Sequence, residues 1–177
     1  MLNIEAKYYI RNLAGLEKWL KESPFVKFTW SRLQTDIYYN CPNGRLKMRI
    51  VEGQPAELIG YQRADQALLR DSVYEIFRTP DGNSLDSVLK SSLGISVVVK
   101  KKRRLYLYKN VRIHLDEVER LGNFLELESV VSENIPRSQA QKNLDELLVW
   151  LGSFLGEIVP QSYSDLVKQI EEKEKDA

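Results

Sequence analysis

The stretch VKKKRRLYLYKNVRIHLDEVERLGNFLELE, Val99–Glu128, reads as strands joined by tight turns. Ile95 to Tyr108 and Val111 to Val118 form a hairpin that turns at Lys109-Asn110. Leu121-Gly122-Asn123 is a second turn, leading into a strand from Phe124 to Val131. Side chains alternate between the two faces of a strand. Arg112, His114 and Asp116 therefore share one side, as do Lys101 with Arg103 and Glu126 with Glu128.

The same period of two runs outward from this stretch. Asn3 to Ile10 alternates strictly, with Ile4, Ala6, Tyr8 and Ile10 opposite Asn3, Glu5, Lys7 and Tyr9. Asn12 caps a predicted helix through Leu13, Leu16, Trp19 and Leu20, closed by Ser23-Pro24. Phe25 to Tyr39 reads as a long strand with Gln34, Asp36 and Tyr38 on one face. The turn Cys41–Gly44 joins it to Arg45–Val51, and Glu57–Arg63 and Ser72–Phe77 follow as strands. Thr79–Gly82 breaks the chain before a helix carrying Leu85, Val88 and Leu89 that ends near Gly94. After Pro136 the period becomes helical, with Leu144, Leu147, Leu148, Leu151 and Leu155 on one stripe that Pro160 ends. A last helix from Ser162 carries Leu166 and Ile170. Residues 1–170 read as a single domain, and 171–177 as a charged, frayed tail.

Composition narrows the class. The chain has 177 residues, 43% hydrophobic and 29% charged, with 26 Lys+Arg against 25 Asp+Glu. That suits one soluble α+β domain on a largely antiparallel sheet. The single Cys41 excludes an intramolecular disulfide, and with the single His114 it excludes the usual Cys/His zinc sites. A net charge of +1 argues against a dedicated nucleic-acid binder. No apolar run reaches the roughly 18–20 residues that span a bilayer. No signal peptide is read at the N-terminus, which gives a cytoplasmic expectation.

The polar faces carry an unusual load. Glu5/Lys7, Lys47/Arg49, Glu57/Arg63, Lys101/Arg103, Arg112/His114/Asp116 and Glu126/Glu128 all sit at spacing two. If the sheet curls into a barrel, these faces line a polar interior and the apolar faces receive the helices. A triphosphate bound with Mg²⁺ or Mn²⁺ needs such an interior. Lys and Arg neutralise phosphate oxygens, and carboxylates hold the hard metal. Lys7, Lys47, Arg49, Arg63, Lys101 and Arg103 are available for the first task, and Glu5, Glu126 and Glu128 for the second.

At these residues the chain resembles the CYTH superfamily, the triphosphate tunnel metalloenzymes. The matching pieces are NIEAK (Asn3–Lys7), QTDIYYN (Gln34–Asn40), GRLKMRI (Gly44–Ile50), ELIGYQRAD (Glu57–Asp65), VKKKRRLY (Val99–Tyr106), VRIHLDEVERLGNFLELE (Val111–Glu128) and SYSDLV (Ser162–Val167). They occur in the family's order over nearly the whole chain, and the nearest likeness is to bacterial class IV adenylate cyclase-like proteins. The resemblance implies an antiparallel closed barrel of roughly eight strands with helices outside. It implies phosphate binding by Lys7, Lys47, Arg49, Arg63, Lys101 and Arg103, metal binding by Glu5, Glu126 and Glu128, and catalytic roles for Lys7 and Asp116. Alternation turns Lys101 and Arg103 inward, and Lys100, Lys102 and Arg104 outward. The family's opening motif is Glu-x-Glu-x-Lys, and Asn3 stands here for its first Glu.

Three functions are open at this level: cyclisation of ATP to cyclic AMP and pyrophosphate, hydrolysis of tripolyphosphate or a nucleoside or thiamine triphosphate, and low-turnover binding of polyphosphate or nucleotide. The partner expected is a triphosphate-containing small molecule, with no nucleic acid and no membrane; a homodimer is left open. His114 is a minor candidate for a general base, Cys41 reads as inert, and Trp19, Trp30 and Trp150 as packing residues. Tyr38 and Tyr39 either stack a base or pack.

Overall fold

A computed structural model describes residues 2–62 and 73–175. Its elements are β1 (Leu2–Ile10), α1 (Leu13–Glu22), β2 (Lys27–Tyr39), β3 (Arg45–Val51), β4 (Ala56–Gln62), β5 (Val73–Thr79), α2 (Gly82–Leu93), β6 (Ile95–Tyr108), β7 (Val111–Val118), β8 (Gly122–Val131), α3 (Arg137–Leu151), β9 (Leu155–Ile158) and α4 (Tyr163–Lys175). The nine strands form one sheet in the order β5-β4-β3-β2-β6-β7-β8-β1-β9, and every pairing is antiparallel. The α+β architecture on an antiparallel sheet is the expected one; among the described residues no ladder joins β5 to β9, the pairing that would close the expected barrel of roughly eight strands. The expected strand ends at Arg63 and Ser72 lie outside the described residues.

The predicted division of faces holds. Ile4, Tyr106, Ile113, Leu115, Leu125 and Leu127 point out of the curl and pack under α1 and α3, which supply Leu16, Leu20, Leu144 and Leu147. α2 covers Ile37, Tyr39 and Met48 with Leu85, Leu89 and Leu93. α1 begins at Asn12, whose side chain accepts from the Gly15 amide at 2.9 Å; α2 begins at Asp81, which accepts from Ser84 at 3.1 Å.

On the concave side, Tyr38, Val97, Val99, Val118 and Phe124 make a small apolar floor. Tyr163 and Val167 of α4 close over it. α4 thus sits across one end of the concave face and brings its N-terminus to the polar residues there. It continues to Lys175 through the segment expected to fray, and Arg120 pairs with Glu171 at 3.6 Å and with Glu174 at 2.5 Å. No helix among the described residues is long and apolar enough to cross a membrane.

One element departs from the periodicity. Leu155 was placed on the helical stripe, but α3 stops at Leu151; a single 3₁₀ turn follows, and Leu155 opens β9. β9 adds to the edge of β1, pairing Ile158 with Tyr8 and Leu155 with Ile10. Gly156 permits the approach, because a Cβ there would lie 3.0 Å from the Tyr9 carbonyl oxygen.

Candidate active site

The concave face encloses a cavity of about 320 Å³, within the range of small-molecule sites. Glu5, Lys7, Lys47, Arg49, Lys101, Arg103, Glu126 and Glu128 all line it. The alternation that groups them along each strand is converted by the register into rows across the sheet. In one row Arg78, Glu57, Arg49 and Asp36 stand opposite one another on β5, β4, β3 and β2. In another, His114, Glu126 and Lys7 follow on β7, β8 and β1. Opposite charges in register stabilise such pairs.

Two strands carry the same Lys-x-Arg pattern against an Asp on a neighbouring strand. On β6, Arg103 is opposite Asp116 of β7. Its Nε and Nη2 donate to Asp116 at 2.7 and 2.5 Å, and Nη2 also donates to Glu126 at 2.6 Å. Lys101 Nζ is 3.5 Å from the same Asp116. On β3, Arg49 is opposite Asp36 of β2; Arg49 Nε donates at 3.0 Å and Lys47 Nζ at 3.3 Å.

Asp116 is wholly buried and lies behind these cations, off the cavity surface. Besides Arg103 and Lys101, its carboxylate accepts from Tyr163 Oη of α4 at 2.9 Å. Burial alone would raise its pKa, but Arg103 and Lys101 hold it down at about 2. Burial opposes ionisation of Glu126 in the same way, and Lys7 and Arg103 keep it well below the usual carboxylate range. Lys7 itself donates to the Gln161 carbonyl at 3.1 Å, lies 3.8 Å from Glu126 and sits over the Tyr163 ring at 4.1 Å.

Lys101 goes the other way. Burial, reinforced by the charge of Arg103, pushes its pKa down to about 8 against the pull of Asp116, Asp36 and Glu126. Above that pH the free site loses one cation. Affinity of the cavity for a polyphosphate anion is therefore expected to fall above about pH 8, by up to about tenfold per pH unit. Lys101→Arg should flatten this limb, and calorimetric titrations from pH 7 to 9.5 check it.

The carboxylates suit a hard divalent ion in chemistry. Glu5 stands directly opposite Glu128 across the β1–β8 ladder, with Glu126 two residues along β8. Like charges in register destabilise a sheet unless a cation lies between or beside them. Part of that role falls to Arg112, whose Nε is 3.0 Å from Glu128; His114 Nε2 lies 3.3 Å from the same carboxylate. Burial and then Arg103 lower the His114 pKa. Among the described residues no three metal-ligating side chains are drawn together into a ready coordination shell, so an ion would recruit Glu128 from Arg112.

The geometry brings the phosphate- and metal-binding candidates together on the cavity except Arg63, which lies outside the described residues; Asp116 supports the site from beneath, and His114 is buried off the cavity surface. It adds residues that the sequence reading had not assigned to the site. Alternation puts Asp36 on one face of its strand with Gln34 and Tyr38 and gives it no chemistry; the structure turns that face to the cavity. Tyr163 belongs to the SYSDLV motif, and only the docking of α4 shows its hydroxyl reaching Asp116. Ile59 and Ile76, paired across β4 and β5, form an apolar patch on the cavity wall.

A family model for the CYTH domain matches residues 1–162. The chain belongs to the CYTH domain family. Members of this family are typically enzymes that bind triphosphate substrates and depend on a divalent metal, generally Mg²⁺ or Mn²⁺. A protein of Methanocaldococcus jannaschii named "Putative adenylate cyclase MJ0240" is 26% identical over 188 residues, covering 94% of this chain and 98% of that one. The solved structure of PH1012 protein from Pyrococcus horikoshii OT3 superposes with a TM-score of 0.79 at 24% identity, covering 93% of this CYTH chain and 98% of that one. An X-ray structure of a "putative adenylate cyclase" from Vibrio parahaemolyticus gives 0.72 at 16% identity, covering 95% and 98%. At these identities the two structures carry the fold alone.

Proposed function

We propose that this CYTH protein is a divalent-metal-dependent enzyme that binds a triphosphate in the charged cavity and cyclises ATP to cyclic AMP and pyrophosphate, as a class IV adenylate cyclase does. The observation that carries the triphosphate reading is the convergence of two Lys-x-Arg strands, Lys7 and three carboxylates on one cavity. Such a site neutralises a polyanion on several sides and leaves oxygen donors for a metal. A nucleotide over inorganic tripolyphosphate is favoured by the apolar Ile59–Ile76 patch beside Tyr61, which offers a surface to the organic part that the inorganic ligand lacks. The name carried by the Methanocaldococcus jannaschii relative points the same way.

In cyclisation the 3′-hydroxyl oxygen bonds to the α-phosphorus while the bond from that phosphorus to the bridging β-phosphate oxygen breaks; pyrophosphate leaves, and the hydroxyl proton passes to it or to water. The protein's part is in-line placement and charge neutralisation. Lys47, Arg49, Lys101 and Lys7 bind the phosphate oxygens, and Asp116 orients Arg103 and Lys101 from behind. Glu5, Glu128 and Glu126 would hold Mg²⁺ or Mn²⁺, which when bound polarises phosphoryl oxygens and offsets their charge. The test is product analysis with ATP and Mn²⁺ or Mg²⁺. Cyclic AMP with pyrophosphate is the expected result; orthophosphate with ADP would move the protein to the triphosphatase reaction on the same cations.

Low turnover is favoured by one residue. Asn3 lines the cavity two residues before Glu5 and is buried, and it brings no charge where the family motif has Glu. Asn3→Glu is expected to lower the Mn²⁺ concentration for half-maximal turnover by about tenfold. A metal titration of the rate reads this directly, and an unchanged curve would show that the amide does not limit metal binding.

A further inference from the structure

The two Lys-x-Arg strands are alike in pattern but not in what their arginines have left to give. Arg103 spends Nε and Nη2 on Asp116 and Glu126. Arg49 is held by Nε alone, and among the described residues no protein acceptor takes its two η nitrogens. Its side chain is 25% exposed, against 5% for that of Arg103, and it faces the cavity. Asp36, which makes this arrangement, is saturated. Oδ1 accepts from Arg49 and Gln34 at 3.0 and 3.2 Å, and Oδ2 from Lys47 and Gln34 at 3.3 and 3.1 Å.

We propose that Asp36 is a positioning residue for triphosphate recognition: it grips Arg49 by Nε and Lys47 by Nζ and so presents the Arg49 η nitrogens to phosphate as a preformed fork. Arg103 belongs to the scaffold that holds Asp116 and Glu126. The inference rests on the triphosphate reading and deepens it by dividing the cations into a gripping pair on β3 and a structural arginine on β6. A planar guanidinium fixed at one edge offers two parallel N–H donors on the other, the geometry that matches a phosphate. Fixing it before the ligand arrives removes an ordering cost from binding.

The reading makes a prediction opposite in sign to simple charge compensation. If Asp36 only neutralised Lys47 and Arg49, Asp36→Asn would leave the cavity more positive and would tighten polyanion binding. If Asp36 positions the fork, Asp36→Asn loosens it and weakens binding. Titrating ATP and inorganic tripolyphosphate into wild type and Asp36→Asn by calorimetry is expected to show Kd raised about tenfold or more for both ligands. The turnover number at saturation should change less than about threefold, because Asp36 contacts none of the three carboxylates that would hold the metal. In an Arg49→Ala background the same substitution should cost less than about twofold, since Asp36 acts through Arg49. Equal or tighter binding by Asp36→Asn, or a full additional loss in the Arg49→Ala background, would overturn the proposal.

Arg49→Lys keeps the test alive if Asp36→Asn fails to fold. Its ammonium can pair with Asp36 but has no second edge, so affinity should fall as far as in Arg49→Ala; wild-type affinity would overturn the proposal. Failure of wild type to bind either ligand would instead remove the triphosphate reading, and the proposal with it.

Discussion

Glu126→Gln should yield a folded protein whose metal-dependent turnover is at least about 100-fold below wild type, a loss of about 2.7 kcal/mol in transition-state stabilisation. The Glu126 side chain is 15% exposed and lies on the cavity wall between Lys7 and Arg103. The amide keeps the shape and an acceptor for Arg103, which remains anchored by Asp116. What it removes is the charge that would hold a divalent ion and balance Lys7. Glu128→Gln should behave similarly, because it dissolves the Glu5–Glu128 pair that faces across β1 and β8. Steady-state rates over a Mn²⁺ titration, with circular dichroism as a fold control, give the answer. Rates within about twofold of wild type in both variants would refute the assignment of these carboxylates.

Asp116→Ala should be the most destabilising single change in the site, by about 3–5 kcal/mol, because it leaves buried charges without their partner. Arg103 and Lys101 would lose it together, and the Tyr163 hydroxyl would lose its acceptor. For a domain of this size the melting temperature should fall by roughly 6–20 °C. The acid limb gives a second reading. The folded Asp116 carboxyl is held at about 2, below its ordinary value of 3.8, so its stabilisation is complete at neutral pH and is lost as pH falls from about 4 towards 2. Asp116→Asn has no such proton to take up, and its stability should fall less steeply over that window. A parallel acid limb in the variant would mean that Asp116 contributes nothing through its charge.

Much of this site was legible in the chain because β-strand alternation is a strict local rule. Placing Lys47 and Arg49, or Glu126 and Glu128, on one face requires only that each segment be a strand. The inside-out polarity followed from the same rule once charges recurred at spacing two on strand after strand. What alternation does not supply is register between distant strands. That Arg49 meets Asp36, and that Arg103 is consumed by two carboxylates while Arg49 is held by one edge, depends on pairings between strands read separately. The docking of α4 is likewise tertiary, and it converts Tyr163 from a helix-start residue into a donor to Asp116. Leu155 shows the opposite failure. Its spacing fits a helix, yet Gly152 and Gly156 favour a break, and the edge of β1 captures Leu155–Ile158 as a strand.

The central claim is that one cavity on the concave face holds the triphosphate. A crystal structure of the protein with a non-hydrolysable ATP analogue and Mn²⁺ tests it most directly. The expected density places phosphate oxygens within hydrogen-bonding distance of Arg49, Lys47 and Lys101, with the anomalous signal of Mn²⁺ beside Glu5 and Glu128. A fully occupied analogue bound anywhere else, with these side chains still paired only to Asp36, Asp116 and Glu126, would contradict it.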